Sequence, residues 1–108
     1  MDLKDYQDRT KDTAIYPLEV SGYYPILARC GEVGELANVF KKSLRGDYDR
    51  DTPEFRAKIM DELGDILWYL ARTAGDFGMD LNDVAKFNLK KLKLRKETGR
   101  LKTGAATS

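Results

Sequence analysis

The fold class is decided by residues 25–44, which read PILARCGEVGELANVFKKSL. The apolar residues of this stretch recur at intervals of three and four, a spacing that puts them on one face of an α-helix. They are Ile26, Leu27, Cys30, Val33, Leu36, Ala37, Phe40 and Leu44. The pattern predicts a helix that begins at Tyr23 or Pro25 and ends before Gly46 and the polar run Asp47–Asp51.

Two further helices flank this one along the chain. A short helix over residues 2–14 would end before Tyr16-Pro17, because the residue before a proline avoids helical geometry. Thr52 has the side chain of an N-cap, and Pro53 suits the first helical position. These two residues predict the start of a third helix, which ends near Gly75–Gly78.

The last part of the chain predicts a fourth helix and a tail. Asp80 or Asn82 caps the helix at its start, and Gly99 ends it. The domain therefore covers residues 1–98, and the small, polar residues 99–108 are expected to form a flexible C-terminal tail. No segment alternates with a period of two for long enough to predict a strand. The predicted fold class is all-α, a helical bundle of four to five helices.

The composition excludes several classes of protein. The 108-residue chain has a formal net charge of +1, so it has no overall basic field that would attract nucleic acid. No apolar run approaches the ~20 residues that cross a bilayer, and the N-terminus lacks the apolar segment of a secretory signal. The chain has one cysteine, Cys30, and no histidine, which nearly excludes an ordinary zinc site. We expect a cytoplasmic protein that binds neither nucleic acid nor a membrane, and any metal ion would be bound by oxygen.

Two pairs of carboxylates stand three residues apart on the two central helices. Glu32 and Glu35 belong to the second helix, and Glu62 and Asp65 belong to the third. This spacing puts each pair on one face of its helix, at the edge of the apolar stripe. Two antiparallel helices would bring the four acids into one cleft, where like charges repel strongly unless a divalent cation is bound. A solvated surface is the simpler interpretation of either pair alone, whereas the two pairs together favour a metal site.

A glycine lies between the two acids of each pair. Gly34 and Gly64 each cost about 1 kcal/mol relative to alanine at a helical position. Their presence predicts a close approach, either of the two helices to each other or of a ligand to the backbone.

The blocks around the acids resemble the MazG-like family of all-α nucleotide pyrophosphohydrolases and follow one another in the order typical of that family. The acid pairs have the form Glu32-x-x-Glu35 and Glu62-x-x-Asp65, with 26 residues between them. The similar blocks are residues 13–17 (TAIYP), 31–36 (GEVGEL), 62–70 (ELGDILWYL) and 88–92 (NLKKL). The compact linker over residues 45–52 is similar to the short, single-domain branch of the family.

This resemblance implies an activity and a metal ion. The expected reaction is hydrolysis of a nucleoside or deoxynucleoside triphosphate to the monophosphate and pyrophosphate, with Mg²⁺ bound by Glu32, Glu35, Glu62 and Asp65 and with Mn²⁺ as a substitute. Because the chain has no histidine, a carboxylate has to complete the deprotonation of the attacking water, and Glu32 and Glu35 are both candidates. The resemblance also implies a homodimer or higher homo-oligomer, with an active site between the two acid-bearing helices.

Candidate phosphate ligands lie on the second and fourth helices. By the resemblance, Asn88 and Lys91 on the fourth helix bind the phosphates, and Arg95, one turn further, is a third candidate. Lys42 lies on the same stripe as Glu35 and is within reach of a phosphate.

Two adjacent aromatic residues follow the second acid pair. Tyr69 matches an aromatic residue that packs near the nucleotide in relatives, and packing in the core explains it equally well. Trp68 points about 100° away from Tyr69 around the helix, so we expect it in the core or at a dimer contact.

Other functions fit the same pattern. The chain could be a non-catalytic helical interaction module, a nucleotide-binding regulator without turnover, or a hydrolase of a different nucleotide such as a diphosphate. Magnesium would stabilise the folded chain only if folding assembles the acids into a metal site. The sequence does not specify the base or the sugar of the substrate.

Overall fold

A computed structural model of the chain describes residues 1–46 and 52–99, and within these ranges it is all-α, as predicted. Its four α-helices are α1 (Leu3–Thr10), α2 (Tyr24–Leu44), α3 (Pro53–Asp76) and α4 (Leu81–Glu97). Two short 3₁₀ turns, Lys11–Thr13 and Leu18–Val20, lie between α1 and α2. The predicted tail beyond Gly99 and the polar run Asp47–Asp51 lie outside the described residues.

The helix ends confirm the predicted capping residues. The Thr52 hydroxyl oxygen accepts a hydrogen bond from the backbone N–H of Phe55 at 3.3 Å. At the start of α4, the Asp80 carboxylate accepts from the N–H of Asn82 at 2.8 Å, so Asp80 is the N-cap. Gly99 follows α4 with a φ of +72°, a backbone conformation that side chains with a Cβ rarely adopt.

The first helix is shorter than predicted, because threonine side chains take backbone acceptors at its end. α1 ends at Thr10, and the 3₁₀ turn continues the coil to Thr13. The Thr10 hydroxyl donates to the Gln7 carbonyl at 2.6 Å, and the Thr13 hydroxyl donates to the Thr10 carbonyl at 3.1 Å. Such local bonds compete with the α-helical ladder and favour the tighter turn.

Helices α2 and α3 pack along each other in opposite directions. Phe40 contacts Phe55 near the linker, with ring centroids 5.9 Å apart, while Glu32 lies next to Glu62 further from it. Residues late in α2 therefore lie beside residues early in α3. This antiparallel pairing is what places the two acid pairs side by side.

The other two helices are joined to α3 by a buried glutamine. Gln7 on α1 is 2% exposed, and its side-chain amide donates to the carbonyls of Met79 at 2.8 Å and Ala71 at 3.3 Å. Its amide oxygen accepts from the N–H of Leu81 at 3.0 Å. One side chain thus bonds backbone groups on α3, in the turn that follows it and at the start of α4.

The apolar core of the described chain is small. Its buried hydrophobic residues are Phe55, Ala71, Ala74 and Leu81, whereas Leu27 is 70% exposed, Leu44 82% and Phe87 70%. No helix among the described residues is both long and apolar enough to span a membrane. Large apolar side chains therefore remain uncovered on the helices of the single chain.

Candidate metal centre

Three of the four predicted acids meet between α2 and α3. Glu32, Glu35 and Glu62 each offer one carboxylate oxygen, and these three oxygens lie within 4.8 Å of one another. Glu32 and Glu62 are half-buried, and Glu35 is exposed. Carboxylate oxygens are of the ligand type that Mg²⁺ prefers.

Two oxygen atoms of this cluster are buried without a hydrogen-bond partner. They are Oε2 of Glu32 and Oε2 of Glu62. A buried acceptor without a donor costs free energy, and the cost is greater when the group carries charge. A divalent cation would compensate both atoms at once, so the donor set fits a metal ion.

The Glu32 carboxyl is strongly perturbed by its surroundings. Burial raises its pKa from 4.5 to about 7, and the adjacent Glu62 carboxyl and the charges of Glu35 and Asp65 act in the same direction. Glu32 is therefore partly protonated at neutral pH when no cation is bound. A bound cation would favour the ionised form instead and would lower this pKa.

Asp65 borders the same site without joining the group of three. It is exposed, and together with Glu32 it lines a cavity of about 300 Å³. Thr13, Trp68 and Tyr69 complete the lining of this cavity. We call it the acidic cavity. The role of Asp65 as a fourth metal ligand stays a prediction.

A second cavity of about 390 Å³ adjoins the acidic cavity and shares three of its lining residues. Its aromatic walls are Tyr16, Tyr24, Trp68 and Tyr69, and Thr13, Ile15 and Pro17 complete the lining. We call it the aromatic cavity. No lysine or arginine whose side chain the structure describes lines either cavity.

Tyr69 is the predicted substrate-binding residue that the structure brings to the acids. It lines both cavities. Burial raises the pKa of its hydroxyl, and the nearby Tyr24 and the carboxylates of Glu32, Asp65 and Glu35 raise it further. The Tyr69 side chain therefore lies where a ligand in the acidic cavity would contact it.

The structure does not bring the predicted cationic and amide ligands to the acids. Lys42 lies on α2, about 10 Å along the helix axis from Glu35. Asn88 and Lys91 are exposed and Arg95 is half-buried on α4, a helix that packs against α1 and α3. None of these four lines either cavity. Their contacts with substrate stay predictions.

The glycines beside the acids do not mark a tight helix contact. Apart from the adjoining backbone of its own helix, a Cβ atom added at Gly34 or at Gly64 would meet no described atom within 4 Å. The prediction of close helix approach is therefore wrong for these two positions in the single chain. The space beside them is open, which leaves the alternative of ligand approach.

Of the four aromatic residues that line the aromatic cavity, the sequence predicted a substrate contact only for Tyr69. Trp68, expected in the core or at a dimer contact, is half-buried beside Tyr69, with ring centroids 5.0 Å apart. Its indole N–H donates to the Thr13 hydroxyl at 2.7 Å. Tyr16 and Thr13 belong to the block TAIYP, which resembles the family. The local sequence of this block does not indicate which residues it contacts.

Comparisons with known proteins show the family of the chain. A sequence model of the MazG nucleotide pyrophosphohydrolase domain matches residues 25–99, a range that contains all of the predicted metal ligands. The chain is 39% identical over 105 residues to the "Gene 37 protein" of Mycobacterium phage L5, and the match covers 92% of each chain. That name states no activity. No solved structure matches the chain.

Proposed function

This chain belongs to the MazG nucleotide pyrophosphohydrolase domain family, and we propose that it hydrolyses a nucleoside or deoxynucleoside triphosphate to the monophosphate and pyrophosphate with Mg²⁺ as cofactor. The proposed bond cleavage is between the α and β phosphates. We place this reaction in the cytoplasm, where free nucleoside triphosphates occur.

One observation carries this proposal. Glu32 and Glu62, on different helices, belong to one carboxylate cluster, and each has a buried carboxylate oxygen without a hydrogen-bond partner. Folding brings these charges together at a cost, which a cation removes. The cluster consists of oxygen donors alone and opens onto a cavity, which favours Mg²⁺ or Mn²⁺ with coordination positions left for substrate or water.

The residues that line the cavities suggest separate roles in metal binding, proton transfer and nucleoside binding. Glu32, Glu35 and Glu62, with Asp65 as the fourth ligand, would hold Mg²⁺, which when bound screens the phosphate charge and acidifies a water molecule. The exposed carboxylate of Glu35 or the half-buried one of Glu32 would accept the proton of the attacking water. Tyr69 would contact the nucleoside at the border of the two cavities.

A homo-oligomer would supply what the single chain lacks. The described chain leaves large apolar side chains exposed on every long helix, and no cationic side chain that the structure describes lines either cavity. We propose that a second copy covers apolar surface and brings cationic side chains towards the phosphates. Asn88, Lys91, Arg95 and Lys42 are the candidates for these phosphate contacts.

The reaction is tested by measuring pyrophosphate against phosphate release from a panel of canonical and modified triphosphates, with and without Mg²⁺. We expect Mg²⁺-dependent release of pyrophosphate, lost in Glu35→Gln and in Asp65→Asn. Glu54→Gln serves as the control, since Glu54 is an exposed acid in the first turn of α3, away from the metal ligands.

Three outcomes would contradict the proposal. Release of phosphate alone would indicate a different bond cleavage. Full activity of a folded Glu35→Gln variant would remove that residue from the metal site. Nucleotide binding without any hydrolysis would favour the non-catalytic alternative.

A further inference from the structure

The segment between the first 3₁₀ turn and α2 lacks regular structure that would hold it in place. Residues 14–23 contain no α-helix, only the 3₁₀ turn Leu18–Val20. Within the segment, the N–H of Val20 donates to the Pro17 carbonyl at 3.2 Å, and the N–H of Tyr23 donates to the Val20 carbonyl at 3.1 Å. Short turns of this kind are weakly stabilised by themselves. The position of the segment therefore depends on what it contacts.

Asp76, the last residue of α3, fastens this segment at two points. Its Oδ2 atom accepts a hydrogen bond from the Tyr16 hydroxyl at 2.7 Å and another from the N–H of Gly22 at 3.0 Å. Tyr16 and Gly22 stand on opposite sides of the 3₁₀ turn. Hydrogen bonds to an ionised carboxylate are stronger than neutral ones, so one oxygen atom ties both ends of the turn to α3.

The Tyr16 hydroxyl is committed to this contact. Burial and the adjacent Asp76 carboxylate raise its pKa to about 12, so it remains a hydrogen-bond donor throughout the physiological pH range. Gly22 also packs closely against the Phe77 ring, because a Cβ atom added at Gly22 would lie 3.1 Å from that ring. Its φ of +86° is a backbone conformation that favours glycine as well.

The fastened segment forms one wall of the aromatic cavity. The Tyr16 ring stacks on the Tyr24 ring with centroids 5.2 Å apart and an interplanar angle of 27°. The hydroxyl of Tyr16 is bonded to Asp76, and the indole N–H of Trp68 is bonded to Thr13. Tyr16 and Trp68 thus offer ring surface to a ligand while their polar groups are occupied by the protein. Ring surface binds flat ligands by stacking, which tolerates different bases.

We propose that Asp76 is a positioning residue for the nucleobase: it holds Tyr16 against Tyr24, so that the aromatic cavity binds the base by stacking and discriminates little among bases. The inference rests on the proposed function, because the triphosphate in the acidic cavity would bring its base to the aromatic cavity. Asp76 lies 11 residues beyond Asp65 on α3, or about 16 Å along the helix axis. It acts through Tyr16 and Gly22 and not on the metal ligands.

The test compares three variants with a matched control. Asp76→Asn removes the charge of the acceptor, Tyr16→Phe removes the hydroxyl and keeps the ring, and the double variant removes both. Tyr23→Phe is the control, because it removes the hydroxyl of another tyrosine in the same segment, one that is 68% exposed. Trp68 is the single tryptophan of the chain and lines both cavities, so its fluorescence reports on binding.

Two kinds of measurement are made on each protein. The four ribonucleosides are titrated while Trp68 fluorescence is followed, and KM and kcat are measured for the corresponding triphosphates with Mg²⁺. For the wild type we expect dissociation constants of the four nucleosides within about tenfold of one another, as stacking predicts. For each single variant we expect the dissociation constants and KM to rise about tenfold, the equivalent of one charge-assisted hydrogen bond.

The double variant should be no weaker than the weaker single variant, because both changes remove the same contact. The kcat values and the rise in melting temperature with Mg²⁺ should stay at wild-type levels in all variants, and Tyr23→Phe should match the wild type throughout. A merely structural role of Asp76 would lower kcat and the Mg²⁺ effect together with affinity, and that result would overturn the proposal.

Unchanged nucleoside affinity and KM in a folded Tyr16→Phe variant would also overturn it, even if Asp76→Asn fails to fold. A wild type that selects one base by far more than tenfold would refute the stacking mechanism. If the wild type releases no pyrophosphate while nucleosides still quench Trp68 and the variants weaken that binding, the proposed reaction fails and the positioning role stands.

Discussion

The substitution Glu62→Gln separates the metal site from an ordinary acidic surface, because it should stabilise the protein without metal. The Glu62 oxygen lies within 4.8 Å of the oxygens of Glu32 and Glu35. Two unit charges at that distance repel by about 3.5 kcal/mol at an effective dielectric of 20 and by about 0.9 kcal/mol in bulk water. Glu62 and Glu32 are half-buried, so the repulsion lies between these limits.

We expect the free energy of unfolding of metal-free Glu62→Gln at pH 8 to exceed that of the wild type by about 1–3 kcal/mol. For a domain of this size the melting temperature should rise by roughly 5–20 °C. Added Mg²⁺ should reverse the order. The wild type gains about 4.1 kcal/mol at a Mg²⁺ concentration about 1,000 times its dissociation constant, whereas Glu62→Gln has lost a ligand and should gain little.

The assay is urea unfolding followed by far-ultraviolet circular dichroism, with EDTA or with Mg²⁺ at a fixed protein concentration. Glu54→Gln is the control on the same helix. It removes an exposed acid from the first turn of α3 and should lower the stability slightly, because a negative charge is favourable at a helix N-terminus. A metal-free Glu62→Gln that is less stable than the wild type, or that keeps the full Mg²⁺ gain, would refute the reasoning.

Three further predictions concern pH, the buried glutamine and the aromatic edge of the core. The pKa of Glu32 is raised from 4.5 to about 7 in the folded state, so its contribution to metal-free stability is present below pH 4.5 and is lost as the pH rises to about 7. Urea titrations in EDTA at pH 5 and pH 8 measure this loss of stability. Saturating Mg²⁺ should remove the difference between the two pH values. Gln7→Met should lower the free energy of unfolding by about 2–4 kcal/mol, since it strands the N–H of Leu81 and the carbonyl of Met79; a loss under 1 kcal/mol would mean that water replaces these bonds. Phe55→Ala should cost about 3–5 kcal/mol by thermal or urea unfolding, because Phe55 is 3% exposed, and a cost typical of a surface site would place Phe55 outside the core.

The helices and their ends could be predicted from sequence because local chemistry specifies them. Thr52 and Asp80 cap α3 and α4 through bonds to residues two or three positions away. The end of α1 was placed too late, since the pattern of residues 2–14 did not reveal that the hydroxyls of Thr10 and Thr13 would take nearby carbonyls. Helix boundaries are set by such competition between local bonds.

The candidate site was predictable in part for the same reason. A spacing of three residues puts Glu32 with Glu35 and Glu62 with Asp65 on one helix face each, whatever the rest of the chain does. Joining the two faces required the antiparallel packing of α2 and α3. The sequence could not predict that Glu32 and Glu62 would each have a buried oxygen without a hydrogen-bond partner, because burial depends on the neighbours that this packing provides.

What the sequence by itself determined is therefore the set of helices, their apolar and acidic faces, and membership of a family through blocks of residues. What only the tertiary structure decided is which distant residues meet: Tyr16 with Asp76, Trp68 with Thr13, and Gln7 with the turn before α4. Periodicity and capping act over one or two helical turns, so they appear in the sequence as patterns. Contacts between residues more than fifty positions apart depend on how whole helices pack, and no local pattern encodes them.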